Sequence, residues 1–183
     1  MGAFGNHQRL MKASAFWKRV TRDQAGFLEE LLDVLKAEGI QFAVIGGQAV
    51  NAYAEPVVSL DLDLAIVAEH LEKAEAALRK RFRVEKFPHS INISQSGSDL
   101  RVQVQTDPRY SAFARRAVVR EVLGLALPVA DLPDLLQGKV WACEDSAPRA
   151  SKRQKDLADI ARLLEGHPEL RPLVPPAILE RLV

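Results

Sequence analysis

Two aspartates, Asp61 and Asp63, alternate with Leu60, Leu62 and Leu64 a short way after a glycine pair, Gly46-Gly47. In a strand, side chains alternate between faces, so the leucines share one face and the carboxylates the other. Neighbouring carboxylates repel, and a divalent cation between them is the usual relief. Aspartate is depleted in strands, so two at alternating positions call for a reason. A solvated edge strand with an acidic face would carry the same pattern. Gly46-Gly47 ends the apolar run of residues 41–45, where glycines let backbone N–H groups approach a phosphate at a helix start or simply form a turn. Leu132, Leu135, Leu136, Lys139 and Cys143 fall on one helical stripe. A lysine in such a stripe either snorkels to the edge or reaches into a cleft toward an anion. In the charge-dense segment after Ser151, Lys155 with Asp159 and Arg153 with Asp156 have the spacing of helix-surface pairs, worth about 0.2–0.5 kcal/mol each.

These residues need elements to position them. Apolar residues recur at helical steps from Phe27 to Leu35, after an opening at Thr21 or Asp23, and Gly39 stops that helix. A short strand over 41–45, helical character over 48–53, the aspartate strand over 57–67 and a helix over 70–81 follow. Strands are expected at 82–87, 90–94 and 99–105, in antiparallel hairpins, with a turn at Gln95-Ser96-Gly97-Ser98. Residues 118–127 read equally as strand or short helix. Asp131 and Pro133 open a helix, a second runs over 151–165, and a short one covers 176–182. Residues 1–20 read as part of an amphipathic helix or as a basic arm. The order predicts a mixed α/β (α+β) fold: an N-terminal arm over 1–21, an α/β core over 22–110 and a mainly helical lobe over 111–183.

At 183 residues and 48% hydrophobic, the chain can bury a real core. The net charge of +1 gives no global field for a nucleic acid or a membrane. The single cysteine, Cys143, excludes an internal disulfide and a cysteine-based zinc site, and its apolar neighbours mark it as core. The first residues lack the apolar core of a secretion signal, and no apolar run is long enough to span a bilayer. A cytoplasmic protein with no membrane partner is expected.

Taken together, these pieces resemble the nucleotidyltransferase superfamily, particularly its toxin-like branch related to the abortive-infection toxins of type IV toxin–antitoxin systems. The likeness spans roughly residues 22–165. Gly46-Gly47 is similar to the family's glycine pair, and Asp61-Leu62-Asp63 to its paired metal-binding aspartates. Lys139-Val140-Trp141-Ala142 is similar to its later lysine motif, and Arg153-Gln154-Lys155-Asp156-Leu157-Ala158-Asp159-Ile160 to its final basic-acidic helix. The resemblance implies a small mixed sheet flanked by helices with a C-terminal helical lobe. It implies Mg²⁺ (or Mn²⁺) on Asp61 and Asp63, with the nucleotide's phosphates at Gly46, Gly47, Lys139 and Lys155. The implied reaction moves a nucleoside monophosphate from an NTP to a hydroxyl acceptor, which is RNA, a protein or a small molecule. A cognate antitoxin protein is an implied partner.

One position departs from the pattern. Active members generally place a third carboxylate on a neighbouring strand, and Gln103 falls there. An amide is neutral and cannot act as a base. Asp99 and Asp107 lie four residues away, about 13 Å along a strand. The site then works with one metal, takes a base such as Asp156 from the helical lobe, or binds a nucleotide or a protein partner without transfer.

Overall fold

Leu62, Leu64 and Ile66 are buried on one side of the aspartate strand, as the alternation requires. That strand, β2 (Asp61–Ile66), takes the middle position of a seven-stranded sheet. The computed structural model describes residues 15–23, 26–145 and 150–182. Before β2 come helix α1 (Phe27–Ala37), strand β1 (Phe42–Ile45) and helix α2 (Gly46–Asn51). After it come a 3-10 turn and helix α3 (Leu71–Leu78), then strands β3 (Arg83–Phe87), β4 (Ser90–Ser94) and β5 (Arg101–Gln105). A hairpin of β6 (Val118–Val122) and β7 (Leu125–Val129) precedes helices α4 (Leu132–Glu144), α5 (Ala150–Gly166) and α6 (Pro176–Leu179). The sheet order is β3-β4-β5-β2-β1-β7-β6. β2 runs antiparallel to β1 and parallel to β5, so the sheet is mixed.

The local causes are readable. α1 buries Phe27, Leu31 and Leu35 completely against the sheet's core. Asp23 caps it from outside, its carboxylate accepting the N–H groups of Phe27 and Leu28 at 2.8 and 3.1 Å. The helix thus begins at Phe27 rather than at the acidic residue. Gly39 and Ile40 close its far end by bonding back to the carbonyls of Lys36 and Leu35. Asp131 caps α4 by accepting the Asp134 N–H at 2.9 Å.

Four expectations shift. The aspartate strand starts at Asp61, not at 57, because Gln48 and Asn51 bond to the backbone of Ser59 and Val57 and hold the preceding segment as a loop. Residues 118–129 form a hairpin, turning at Leu123 and Gly124. Strands therefore continue past residue 110, and β7 joins β1 in the same sheet. The glycine pair does not precede α2 but forms its first two residues. Of residues 1–20, those over 15–20 are helical; the remainder of that expectation lies outside the described residues.

Candidate active site

β2 and β5 pair residue for residue, placing Asp61 across from Arg101 and Asp63 across from Gln103. On its other side Asp63 faces Ile45, the residue before the glycine pair. The row through Gln103 continues to Asn92 on β4 and Glu85 on β3. One sheet face thus carries two carboxylates at its centre, then the amides of Gln103 and Asn92, and a carboxylate again, Glu85, on the edge strand. Asp61 Oδ1 forms an ion pair with Arg101 Nε at 2.8 Å, and solvent reaches both partners.

Gly46 explains how Asp63 is seated. Its backbone sits at φ +67°, and a Cβ there would stand 2.1 Å from Asp63 Oδ2. The carboxylate occupies the space of the missing side chain, so the glycine is required for the aspartate's position. Gly47 lies against the Lys155 side chain, whose Nζ would be 3.9 Å from an added Cβ.

Lys139 is buried on α4, and neither arrangement expected for it holds unmodified. Its ammonium faces the cleft wall but is tied to α5, 2.8 Å from Asp156 Oδ1 and 2.6 Å from Asp159 Oδ2. Burial alone would lower its pKa; the attraction of Asp159 and Asp156 outweighs this and holds it above the ordinary lysine value. Asp156 and Asp159 are accordingly buried, not members of surface pairs with Arg153 and Lys155. Asp159 also accepts from Arg162 at 2.8 Å, and Arg162 reaches Asn51 at the end of α2. One oxygen of Asp156, Oδ2, is buried with no hydrogen-bond partner.

These groups meet in one cleft of about 840 Å³. Gly46, Gly47, Asp61, Asp63, Lys139, Lys155 and Asp156 all line it, and so does Gln103. Lys152 and Arg101 also line it, and neither was singled out by motif. Lys152 precedes Lys155 by three residues and shares its helix face, a signal hidden by the surrounding charge. Arg101 shares a strand face with Gln103, but only the pairing with β2 gives that face a meaning. Asp63 has a pKa above the ordinary carboxylate range, first because of burial and then because of Asp61. Lys139, Lys152 and Lys155 pull it back down.

A cation between Asp61 and Asp63 would relieve that repulsion. Among the described residues, no group of three or more His, Cys, Asp or Glu side chains gathers around a common point. Mg²⁺ is commonly held by one or two carboxylates together with substrate phosphates. The residues present fit an ion shared with a nucleotide rather than one caged by protein.

The family model for "Nucleotidyl transferase AbiEii toxin, Type IV TA system" matches residues 27–183. Among solved structures the chain is similar to ANT(2'')-Ia in complex with adenylyl-2''-tobramycin, at 15% identity and a TM-score of 0.58, covering 88% of this chain and 99% of that one. It is also similar to the solution structure of the antibiotic-resistance factor ANT(2'')-Ia, at 13% identity and a TM-score of 0.53, covering 87% and 96%. At such identities the likeness is one of fold. No curated protein matches. Among the described residues, no helix is long and apolar enough to cross a membrane.

Proposed function

Because the chain belongs to the family of AbiEii nucleotidyl transferase toxins of type IV toxin–antitoxin systems, we propose that the cleft over β2 moves a nucleoside monophosphate from an NTP to a hydroxyl acceptor. The observation that carries this reading is the convergence of Asp61, Asp63, Gly46, Gly47, Lys155 and Lys139 on one cleft, from elements scattered along the chain.

Each residue then has a task. Asp61 and Asp63 would hold Mg²⁺ or Mn²⁺, which supplies Lewis-acid charge to the nucleotide's phosphates when bound. Lys155 and Lys152 neutralise the triphosphate from the α5 wall. Gly46 seats the Asp63 carboxylate, and Gly47 lies beside the Lys155 side chain. Lys139 braces α4 against α5 through Asp156 and Asp159, and its charge favours ionised Asp63. Asp156 lines the cleft and bonds Lys139 through Oδ1 only, which makes it the carboxylate of the helical wall assigned to take the acceptor proton. The acceptor is RNA, a protein or a small molecule. The likeness to ANT(2'')-Ia, solved with adenylyl-2''-tobramycin, supports testing small hydroxyl compounds among them. A cognate antitoxin is the expected protein partner, and the cytoplasm the expected compartment.

Purified protein incubated with α-³²P-labelled nucleotides, a divalent cation and cell extract should label an acceptor, and D61N should abolish the label. Absence of both label and cation-dependent nucleotide binding, with every NTP tried, would remove this reading. Gln103 across from Asp63 favours one alternative, a degenerate relative that binds a nucleotide or a partner without transfer. Calorimetry that detects nucleotide binding while no label forms would select it.

A further inference from the structure

Building on the nucleotidyltransferase reading, we infer that the cleft takes a single divalent cation and that the Arg101 guanidinium supplies the second positive charge, at Asp61. Two-metal sites clamp the attacking and leaving oxygens between two ions, and a second ion needs a further anionic donor. The register leaves Gln103 directly across from Asp63, where that donor would have to stand, and its amide is neutral. The other carboxylates on or beside β5 are engaged elsewhere. Asp99 pairs with Arg22 at 3.4 Å, and Asp107 with Arg109 at 2.7 Å. Asp156 is buried and bonded to Lys139.

Arg101 stands across from Asp61 and already contacts it through Nε at 2.8 Å. A guanidinium has a fixed fork of donors, so with Nε on Asp61 its Nη groups remain to meet a phosphate or the attacking oxygen. Lys139 cannot supply this charge, because two carboxylates already match it. Lys152 and Lys155 belong to the opposite wall, on α5. Arg101 is thus the cation on the sheet side of the cleft that sits beside the dicarboxylate and opens to solvent, its side chain 70% exposed.

The test counts ions on the full chain. Protein freed of metal is mixed with an equimolar non-hydrolysable NTP analogue, and bound Mn²⁺ is followed by loss of the free-ion paramagnetic resonance signal. A fluorescent nucleotide tracks nucleotide binding separately. The native chain should bind one Mn²⁺, and Q103D should bind two. In R101A, removal of a neighbouring cation should tighten Mn²⁺ binding by about two- to fivefold, the scale of an exposed charge pair, while transfer falls. R101K should restore native Mn²⁺ affinity. Two Mn²⁺ ions on the native chain, none at all, or unchanged affinity in R101A would overturn the inference while leaving nucleotide recognition intact. Loss of nucleotide binding by the native chain would instead remove the underlying functional reading. Arg101 is exposed, so R101A remains informative if Q103D fails to fold.

Discussion

Replacing Gly46 by alanine puts a methyl group 2.1 Å from Asp63 Oδ2, 2.9 Å from its Cγ and 3.0 Å from its Cβ, on a backbone at φ +67°. Two costs follow. An L-residue in the left-handed region loses about 1–2 kcal/mol. Forcing the carboxylate out of its seat adds a packing cost of about 1–3 kcal/mol. Their sum, roughly 2–5 kcal/mol, corresponds to a fall in Tm of about 4–20 °C for a chain of this length. Gly39 separates the two, since it has nearly the same conformation (φ +63°) with nothing within 4 Å of an added Cβ. G39A should therefore show the conformational cost alone. Urea denaturation of G46A, G39A, D63A and G46A/D63A closes a double-mutant cycle. Residues 46 and 63 should couple by about 1–3 kcal/mol, because D63A removes the two atoms nearest the new methyl group. If G46A costs no more than G39A, or costs the same in the D63A background, Gly46 does not seat the aspartate.

K139M should destabilise by about 3–5 kcal/mol, since it leaves Asp156 buried without a cation and Asp159 with Arg162 alone. Adding D156N alone, which keeps the Arg162–Asp159 pair, should recover part of that loss in denaturant titrations, whereas a K139M cost under about 1 kcal/mol would show that the lysine does not bind the two helices. D61N removes only an exposed pair with Arg101, so its stability should stay within about 1 kcal/mol of native while acceptor labelling drops to background. Metal-free protein should lose stability as pH rises through the Asp63 pKa. Burial lifts that pKa above its unfolded value, so the native state binds the proton more readily in the window just above the ordinary carboxylate range. Denaturation in a chelator across that window should show this slope, and D63N should flatten it; a D63N slope equal to the native one would assign the effect elsewhere.

The central strand and its two faces were legible because strand alternation leaves few other ways to arrange Leu60 to Leu64. Gly39 and Asp131 were legible too, since helix ends need a positive φ or a side-chain acceptor, and few residue types provide them. Periodicity says nothing about which element faces which. Asp156 and Asp159 therefore looked like partners for Arg153 and Lys155, when a lysine on another helix claims both. The parallel pairing of β2 with β5 joins strands separated by a helix and a hairpin, so the neighbours Asp61–Arg101 and Asp63–Gln103 emerged only with the register. The hairpin at 118–129 was ambiguous because Leu123, an unusual residue at positive φ, carries half of its turn. The glycine pair was visible, but the reason for Gly46 lay in the Asp63 carboxylate, on a different strand.

The buried contact of α4 with α5 also sets an order of events during synthesis. The dicarboxylate strand leaves the ribosome first, and the residues that brace and charge the opposite wall come much later. At about 5–20 residues per second, the interval between residues 63 and 156 is roughly 5–19 s. Throughout that time Asp61 and Asp63 have a sheet partner in β1 but no Lys139–Asp156 clasp and no Lys155. Every nascent chain that ends before α5 therefore carries the dicarboxylate strand without the lysine wall that faces it across the cleft.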